Sequence, residues 1–290
     1  MTLFSRITVF LEMIKFSHTI FALPFALTGA LLAARGIPSV EKVFWIIMAM
    51  VGARTAAMAM NRLIDAEIDG RNPRTRGRAI PAGLLGKGTV AAFIVLSVLL
   101  LLYAASRLNP LCLWLSPVAL FFLALYSYCK RFTALAHLVL GLCLGAAPVG
   151  AWIAVRGDVA PAPVLLGVAV LFWVAGFDIL YALQDLEFDR SAGLHSIPVK
   201  LGVSGSLRLS RIFSVVMVGL LIVVHLLLQP GPFFLAGIAL SAGLLAYEQW
   251  LLRDGDLSKL DLAFFTMNGY ISIIIFAATL LAVLTGGLAG

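Results

Sequence analysis

The sequence predicts an all-α integral membrane protein. It is read as nine transmembrane helices around a central cavity, capped by cytoplasmic loops. Three observations carry that reading. The 290-residue chain is 62% hydrophobic and only 12% charged, whereas a soluble domain is about half apolar and about a quarter charged. Several windows reach about 20 apolar residues, enough to cross a ~30 Å hydrocarbon core at 1.5 Å per residue. The basic residues, finally, divide unequally between the two ends of those windows. Every span is read as a helix, because lipid offers no partner for an unpaired backbone group.

In chain order, residues 2–16 carry Leu3, Ile7, Phe10, Leu11 and Ile14 at helical spacing, a short amphipathic surface helix. Arg6, Glu12 and Lys15 precede an apolar run long enough to span, without a cleavage site, so this segment is expected to be retained. The first span, 18–34, opens at His18 and is kinked by Pro24. The second, 43–64, carries Arg54 inside it. Spans follow at 88–106, 111–129, 133–154, 163–184, 208–228, 232–252 and 265–285, the last with Asn268 as an interhelical hydrogen-bonding residue. No polar stretch is long enough for a separate soluble domain, so residues 1–290 read as one membrane domain.

The odd number of spans puts the chain ends on opposite sides. One side holds 15 Lys and Arg residues and the other only Arg35, Lys42, Arg107 and Arg156; Arg54 and Arg62 complete the 21. The rich side is assigned to the cytoplasm, with the N-terminus. The net charge of +7 thus belongs to short loops facing lipid headgroups, and nucleic acid is not implied. Cys112, Cys129 and Cys143 lie in or beside spans without metal spacing and read as small apolar residues.

Two long loops on the rich side, about 65–87 and 185–207, both open with carboxylates. Asn61, Asp65 and Asp69 are spaced four and four, on one helical face. Tyr181, Asp185 and Asp189 repeat that spacing, with Asp178 one turn before Tyr181, and each ladder is followed by an Ile-Pro pair, Ile80-Pro81 and Ile197-Pro198. The two segments read as versions of one device, from an internal duplication with acidic motifs at 61–69 and 181–189. Seven of the fourteen acidic residues fall in them, including Glu67 and Glu187, which the spacing points away from the ladders.

An ionised carboxylate at the hydrocarbon edge is costly unless paired or metal-bound. Oxygen donors without His or Cys suit a hard cation, magnesium more than zinc. Magnesium needs only one or two carboxylates and completes its shell with water and substrate phosphate. Arg71, Arg74, Arg76 and Arg78 can hold phosphate oxygens through forked, charge-assisted hydrogen bonds. Acid and base together at a membrane surface read as metal–diphosphate recognition.

At these residues the sequence resembles the UbiA superfamily of membrane prenyltransferases. The family's first Asp ladder stands here as "NRLIDAEID", its second as "YALQDLEFD", and its Lys-Arg-Thr turn as "YSYCKRFT", Tyr126 to Thr133. The resemblance covers essentially the whole chain. Arg62 departs from the Asp that many members carry, as a mark of the ubiquinone-type branch. The resemblance implies magnesium-dependent transfer of a polyprenyl group from its diphosphate to an aromatic acid. Asn61, Asp65 and Asp69 would serve one metal, and Asp185 and Asp189 the other. Lys130 and Arg131 would contact diphosphate or position the loop, and Tyr181 would sit beside the reacting centre. The best-fitting acceptor is 4-hydroxybenzoate, in ubiquinone synthesis; a naphthoate acid of menaquinone synthesis is the alternative.

A membrane cavity would keep an allylic cation from water, with Tyr126, Tyr128, Phe172, Trp173 and Tyr181 as candidates for cation–π stabilisation or ordinary packing. Arg54 lies on the Asn61 face, seven residues earlier; it would pair either with the acceptor carboxylate or with a ladder carboxylate. His18 is taken with Arg54 as an acceptor-binding residue, by family position. His137 and His225 carry no assigned role. A cation-coupled transporter also uses intramembrane carboxylates, but with charges near the midplane, whereas these gather at span ends. The expected partners are therefore a polyprenyl diphosphate, an aromatic acid and the lipid of a bacterial inner membrane, with no protein partner evident.

Overall fold

In the computed structural model, residues 3–14, 21–253 and 266–287 are described, with no side chains before Ile7. His18 lies outside the described residues. The described chain is helical: α1 Leu3–Met13, α2 Leu23–Ala34, α3 Val40–Ile64, α4 Ala66–Arg71, α5 Lys87–Leu108, α6 Pro110–Cys129, α7 Ala136–Arg156, α8 Pro161–Ala182, a 3₁₀ turn Leu183–Asp185, α9 Leu186–Ser191, α10 Ile197–Leu228, α11 Pro232–Leu251 and α12 Asn268–Leu284.

Seven of these helices are long and apolar enough to cross a membrane: α3, α5, α6, α7, the α8–α9 run, α10 and α11. That is two fewer than the nine spans expected from the sequence. The other two expected spans appear as the shorter apolar helices α2 and α12, of 12 and 17 residues. The span expected at 208–228 begins earlier. Ser196 caps α10 by accepting from the Val199 amide, proline follows at the second helical position, and the helix is interrupted at Gly202 (φ 66°).

The largest apolar cluster joins α2, α7, α8, α10, α11 and α12 through Phe25, Trp152, Trp173, Phe177, Met217, Phe234 and Ile275. Within it a polar chain runs across three helices: the Trp173 indole donates to Asn268 Oδ1 (2.6 Å), and Asn268 Nδ2 donates to Glu248 (3.2 Å). Buried polar groups are retained in such interiors when they satisfy one another. The helix α2 touches α7 on one side and α12 on the other, so the first and last apolar helices close the bundle.

Close packing on α7 depends on glycine. A Cβ at Gly145 would lie 2.3 Å from the Gly167 carbonyl oxygen of α8, and one at Gly141 2.4 Å from that of Leu171. Small residues let membrane helices approach to backbone contact. Gly145→Val is expected to cost about 1–3 kcal/mol by overpacking, read as a lower thermal midpoint in detergent. Gly150→Val, where nothing lies within 4 Å, should leave the midpoint near wild type.

At the opposite end of α7, carbonyls of the last turn are met by side chains from other elements. The Lys42 ammonium donates to Val155 O (2.5 Å) and Asn109 Nδ2 to Ile153 O (2.7 Å). Lys42 thus has a structural task beyond orienting the chain. The helix α1 packs one face inward, with Phe10 stacked on Phe93 at 4.0 Å and Met13 and Ile14 buried, while Ile7 and Leu11 stay exposed.

Candidate active site

Both acidic ladders sit where a long helix breaks. The helix α3 ends at Asp65 (φ −90°, ψ 1°) and α4 starts one residue later; the α8 run breaks at Asp185 (φ −102°, ψ 4°) and α9 follows. The two first carboxylates therefore occupy equivalent backbone positions. Helical bonding continues through the first break, with Asp65 N–H on Asn61 O (2.9 Å) and Asp69 N–H on Asp65 O (2.8 Å), so its three ladder residues stay on consecutive turns. The Ile-Pro pairs are less alike: the second opens α10, and the first lies in the turns before α5.

Asp65 and Asp69 are 2% and 3% exposed. A buried carboxylate needs a compensating charge, and each has one. Asp65 accepts from Asn61 Nδ2 (3.0 Å) and faces Lys130 Nζ (2.6 Å) and Arg131 (3.1 Å). Arg131 also donates to the carbonyls of Ser127 and Ile64, fixing the Lys-Arg turn against the end of α3. Asp69 takes both oxygens to Arg78 (2.7 Å). Asp185 receives the forked guanidinium of Arg74 and Asn72 Nδ2 (2.9 Å), and Arg74 also donates to the Tyr181 hydroxyl (3.2 Å). Burial alone would lower the Arg74 pKa, but its bonds to Asp185 and Tyr181 outweigh that and raise it.

The Asn72–Asp185 and Arg74–Asp185 contacts span 113 and 111 residues. They bring the first loop onto the second ladder, so the two acidic devices share one site. The second loop returns the contact: the His195 amide donates to Lys130 O (2.8 Å). Asp189 lies near Ser196 and in the field of Lys130. Of the basic residues read as diphosphate ligands, Arg74, Arg78, Lys130 and Arg131 are on the ladder carboxylates. Arg71 instead donates to the Glu67 carbonyl (3.4 Å), and Arg76 is exposed. Glu67, Arg71 and Arg131 border a cavity of about 290 Å³ floored by Ile64, Ile68, Phe188 and Leu194.

Among the described residues no three His, Cys, Asp or Glu side chains converge as a finished metal site. The donor set still fits magnesium: all are oxygens, on consecutive turns, and that ion takes few protein ligands and several from phosphate and water. Cations now neutralise the same oxygens.

Arg54 lies within α3, half-buried, and Arg62 turns to the other side of the ladder, donating to Asn61 Oδ1 (3.2 Å) and to Met13 O at the end of α1 (3.4 Å). Arg62 thus orients Asn61 and holds the end of α1. Among the aromatic candidates, Phe172 packs edge-on against Phe213, Tyr128 is exposed beneath Arg131, and Trp173 belongs to the core. Tyr126 and Tyr181 remain beside the carboxylates. The sequence reading missed a further pair: His137, 4% exposed, meets Asp178 at 2.7 Å. Its signal was present, since Asp178 lies one turn before Tyr181, but His137 stands 41 residues away on another helix.

The profile of the UbiA prenyltransferase family matches residues 22–287. A protein of Nitrosomonas europaea named 4-hydroxybenzoate octaprenyltransferase is 32% identical over 290 residues, covering 97% of both chains. One of the same name from Aromatoleum aromaticum is 31% identical over 284 residues, covering 96% of this chain and 95% of its own. The fold is similar to the apo structure of a UbiA homolog from Aeropyrum pernix K1, with TM-score 0.84 and 34% identity, over 91% of this chain and 98% of that one. It is also similar to a UbiA homolog from Archaeoglobus fulgidus bound to DMAPP and Mg2+, with TM-score 0.76 and 19% identity, over 95% and 99%.

Proposed function

This chain belongs to the UbiA prenyltransferase family, and from that premise we propose that it transfers a polyprenyl group from its diphosphate to a hydroxylated aromatic acid, 4-hydroxybenzoate, in ubiquinone synthesis. The observation that carries the reading is the junction of the two acidic devices through Asn72, Arg74 and Asp185. A single ladder could be a solvated helix end. Two ladders joined to one another and to Lys130, Arg131, Arg74 and Arg78 match a highly charged diphosphate leaving group and its metals. The names of the relatives support the acceptor.

Asn61, Asp65 and Asp69 on one side, and Asp185 and Asp189 on the other, would hold magnesium. The ion, when bound, supplies positive charge to the leaving diphosphate oxygens. The rest falls to the chain. Arg74, Arg78, Lys130 and Arg131 are within reach of the same oxygens as the ladders and stabilise the departing diphosphate, each donor worth a few kcal/mol at such a site. Tyr181, its hydroxyl held by Arg74 and its ring 5.4 Å from that guanidinium, borders the carbon that loses diphosphate. Surrounding helices exclude water until the ring attacks. Arg54 offers a charge for the acceptor carboxylate, and His18 is proposed as a second acceptor-binding residue. The protein would lie in a bacterial inner membrane with its N-terminus and acidic loops in the cytoplasm.

The test is to incubate purified enzyme with a prenyl diphosphate, magnesium and either 4-hydroxybenzoate or a hydroxylated naphthoate, and to weigh the product. Prenylated 4-hydroxybenzoate is expected. Product from the naphthoate alone would replace the acceptor, and no prenylated product from either would sink the reading. In the same assay Arg54→Ala is expected to raise the acceptor KM about tenfold or more, in line with a charged hydrogen bond worth about 1.5–3 kcal/mol, with prenyl-diphosphate KM unchanged. The reverse pattern would assign Arg54 to the ladders.

A further inference from the structure

Asp178 and His137 form a dyad that the metal and diphosphate chemistry leaves unused. Asp178 is on α8, two helical turns before Asp185, and His137 is on α7. The Ile197 amide donates to His137 Nε2 (3.4 Å), which leaves the ring hydrogen on Nδ1, directed at Asp178 Oδ2 (2.7 Å). One carboxylate oxygen is thus fixed, and Asp178 Oδ1 carries no hydrogen bond among the described residues. The imidazole is buried, while the carboxylate keeps 17% exposure. Tyr126 of α6 lies in the field of both Asp178 and Asp65, which places the dyad beside the same interior as the first ladder. A carboxylate held on one oxygen by an oriented, neutral imidazole is a built proton acceptor.

Its depth matches an acceptor. At 1.5 Å per residue, Asp178 lies about 10 Å inward of Asp185, and Arg54 about 16 Å inward of Asp65. Measured each from the first carboxylate of its own ladder, the two groups differ in depth by about 6 Å. That is close to the length of a para-hydroxylated benzoic acid from carboxylate to hydroxyl oxygen. With its carboxylate at Arg54, such an acid presents its hydroxyl at the level of Asp178 and its ortho carbon toward the diphosphate end.

We propose that Asp178, held by His137, accepts the hydroxyl proton of the aromatic acceptor during transfer. This rests on the aromatic-acid reading above. The O–H proton passes to Asp178, and the allylic C–O bond breaks with its electron pair leaving on diphosphate. The ortho ring carbon forms the new C–C bond with the electrons freed at oxygen, giving a dienone. That carbon then loses its proton to the departing diphosphate, and the oxygen recovers its own from Asp178. The carboxylate ends as it began, and one proton leaves with the product diphosphate. Asp178 is the catalytic residue of this step, and His137 positions it.

The experiment compares wild type with Asp178→Asn on ring-halogenated 4-hydroxybenzoates of increasing hydroxyl acidity, with equilibrium binding of a non-transferable prenyl thiodiphosphate and magnesium as a second readout. Asp178→Asn is expected to lose about 100-fold or more in kcat on the parent acid, within the 10²–10⁴-fold range of general base catalysis. The loss should shrink steadily as the hydroxyl becomes more acidic, with thiodiphosphate binding unchanged. Activity within threefold of wild type would overturn the proposal, and so would a loss uniform across the acceptor series. Should Asp178→Asn fail to fold, wild type is given 4-methoxybenzoate, which has no hydroxyl proton. Prenylation of that ether at the parent rate would overturn the proposal, and its failure to react while still competing with the parent acid supports it. Failure of the parent reaction in wild type would instead remove the aromatic-acid reading itself.

Discussion

Alanine at Asp65 or at Asp185 is expected to abolish prenyl transfer, lowering kcat by about 10³-fold, the upper range for removing one electrostatic contact at a reacting centre. The two positions act through different partners. Removing the Asp65 carboxylate strips the counter-charge from Lys130 and Arg131 and frees Asn61. Removing that of Asp185 releases Arg74 and Asn72, and with them the tie between the two acidic loops. Neither loss should unfold the chain. The basic partners are about a third exposed, so water takes over much of their solvation and the pairs contribute little net stability. The apolar clusters that hold the helices lie elsewhere. The check is turnover alongside the thermal midpoint: near-normal turnover in a folded variant of either residue removes the metal assignment.

Lys130→Ala is expected to act in two opposite directions. Its ammonium sits 2.6 Å from Asp65 Oδ2, on an oxygen that a divalent ion would need. Ammonium and metal compete for one carboxylate, so losing the ammonium should lower the magnesium concentration for half-maximal rate several-fold. The same loss removes a donor from the leaving diphosphate and should reduce kcat by about 10²-fold. A magnesium titration of the rate separates the terms. An unchanged or higher magnesium requirement would show that Lys130 serves Asp65 as a structural partner only.

The ladders were legible because they are local. Asn61, Asp65 and Asp69 share a face by arithmetic on a helix, and the repeat of that spacing at Tyr181, Asp185 and Asp189 marked the second device. The cluster of arginines beside the first ladder was equally visible, but not which carboxylate each would take. Arg74 reaches across 111 residues to Asp185, whereas Arg71 turns back on its own helix. Pattern alone has no information on such distant pairings. The same limit hid His137, an isolated histidine on an apolar helix until the Ile197 amide and Asp178 are brought to its two nitrogens. The start of α10 was misjudged for a local reason: Ser196 and Pro198 start a helix well before the apolar run begins. The glycine seam of α7 was also unread, since a glycine in a span does not say which carbonyl it admits.

The contact of α2 with α12 has a bearing on biosynthesis. The helix α2 can meet α12 only after the more than 200 residues between them have been made. Until then its flank is left to lipid or to the insertion machinery, and Glu248 waits on Asn268 for its hydrogen bond. Nascent chains stalled before α12 therefore present an open, acid-bearing seam on α2 and α11.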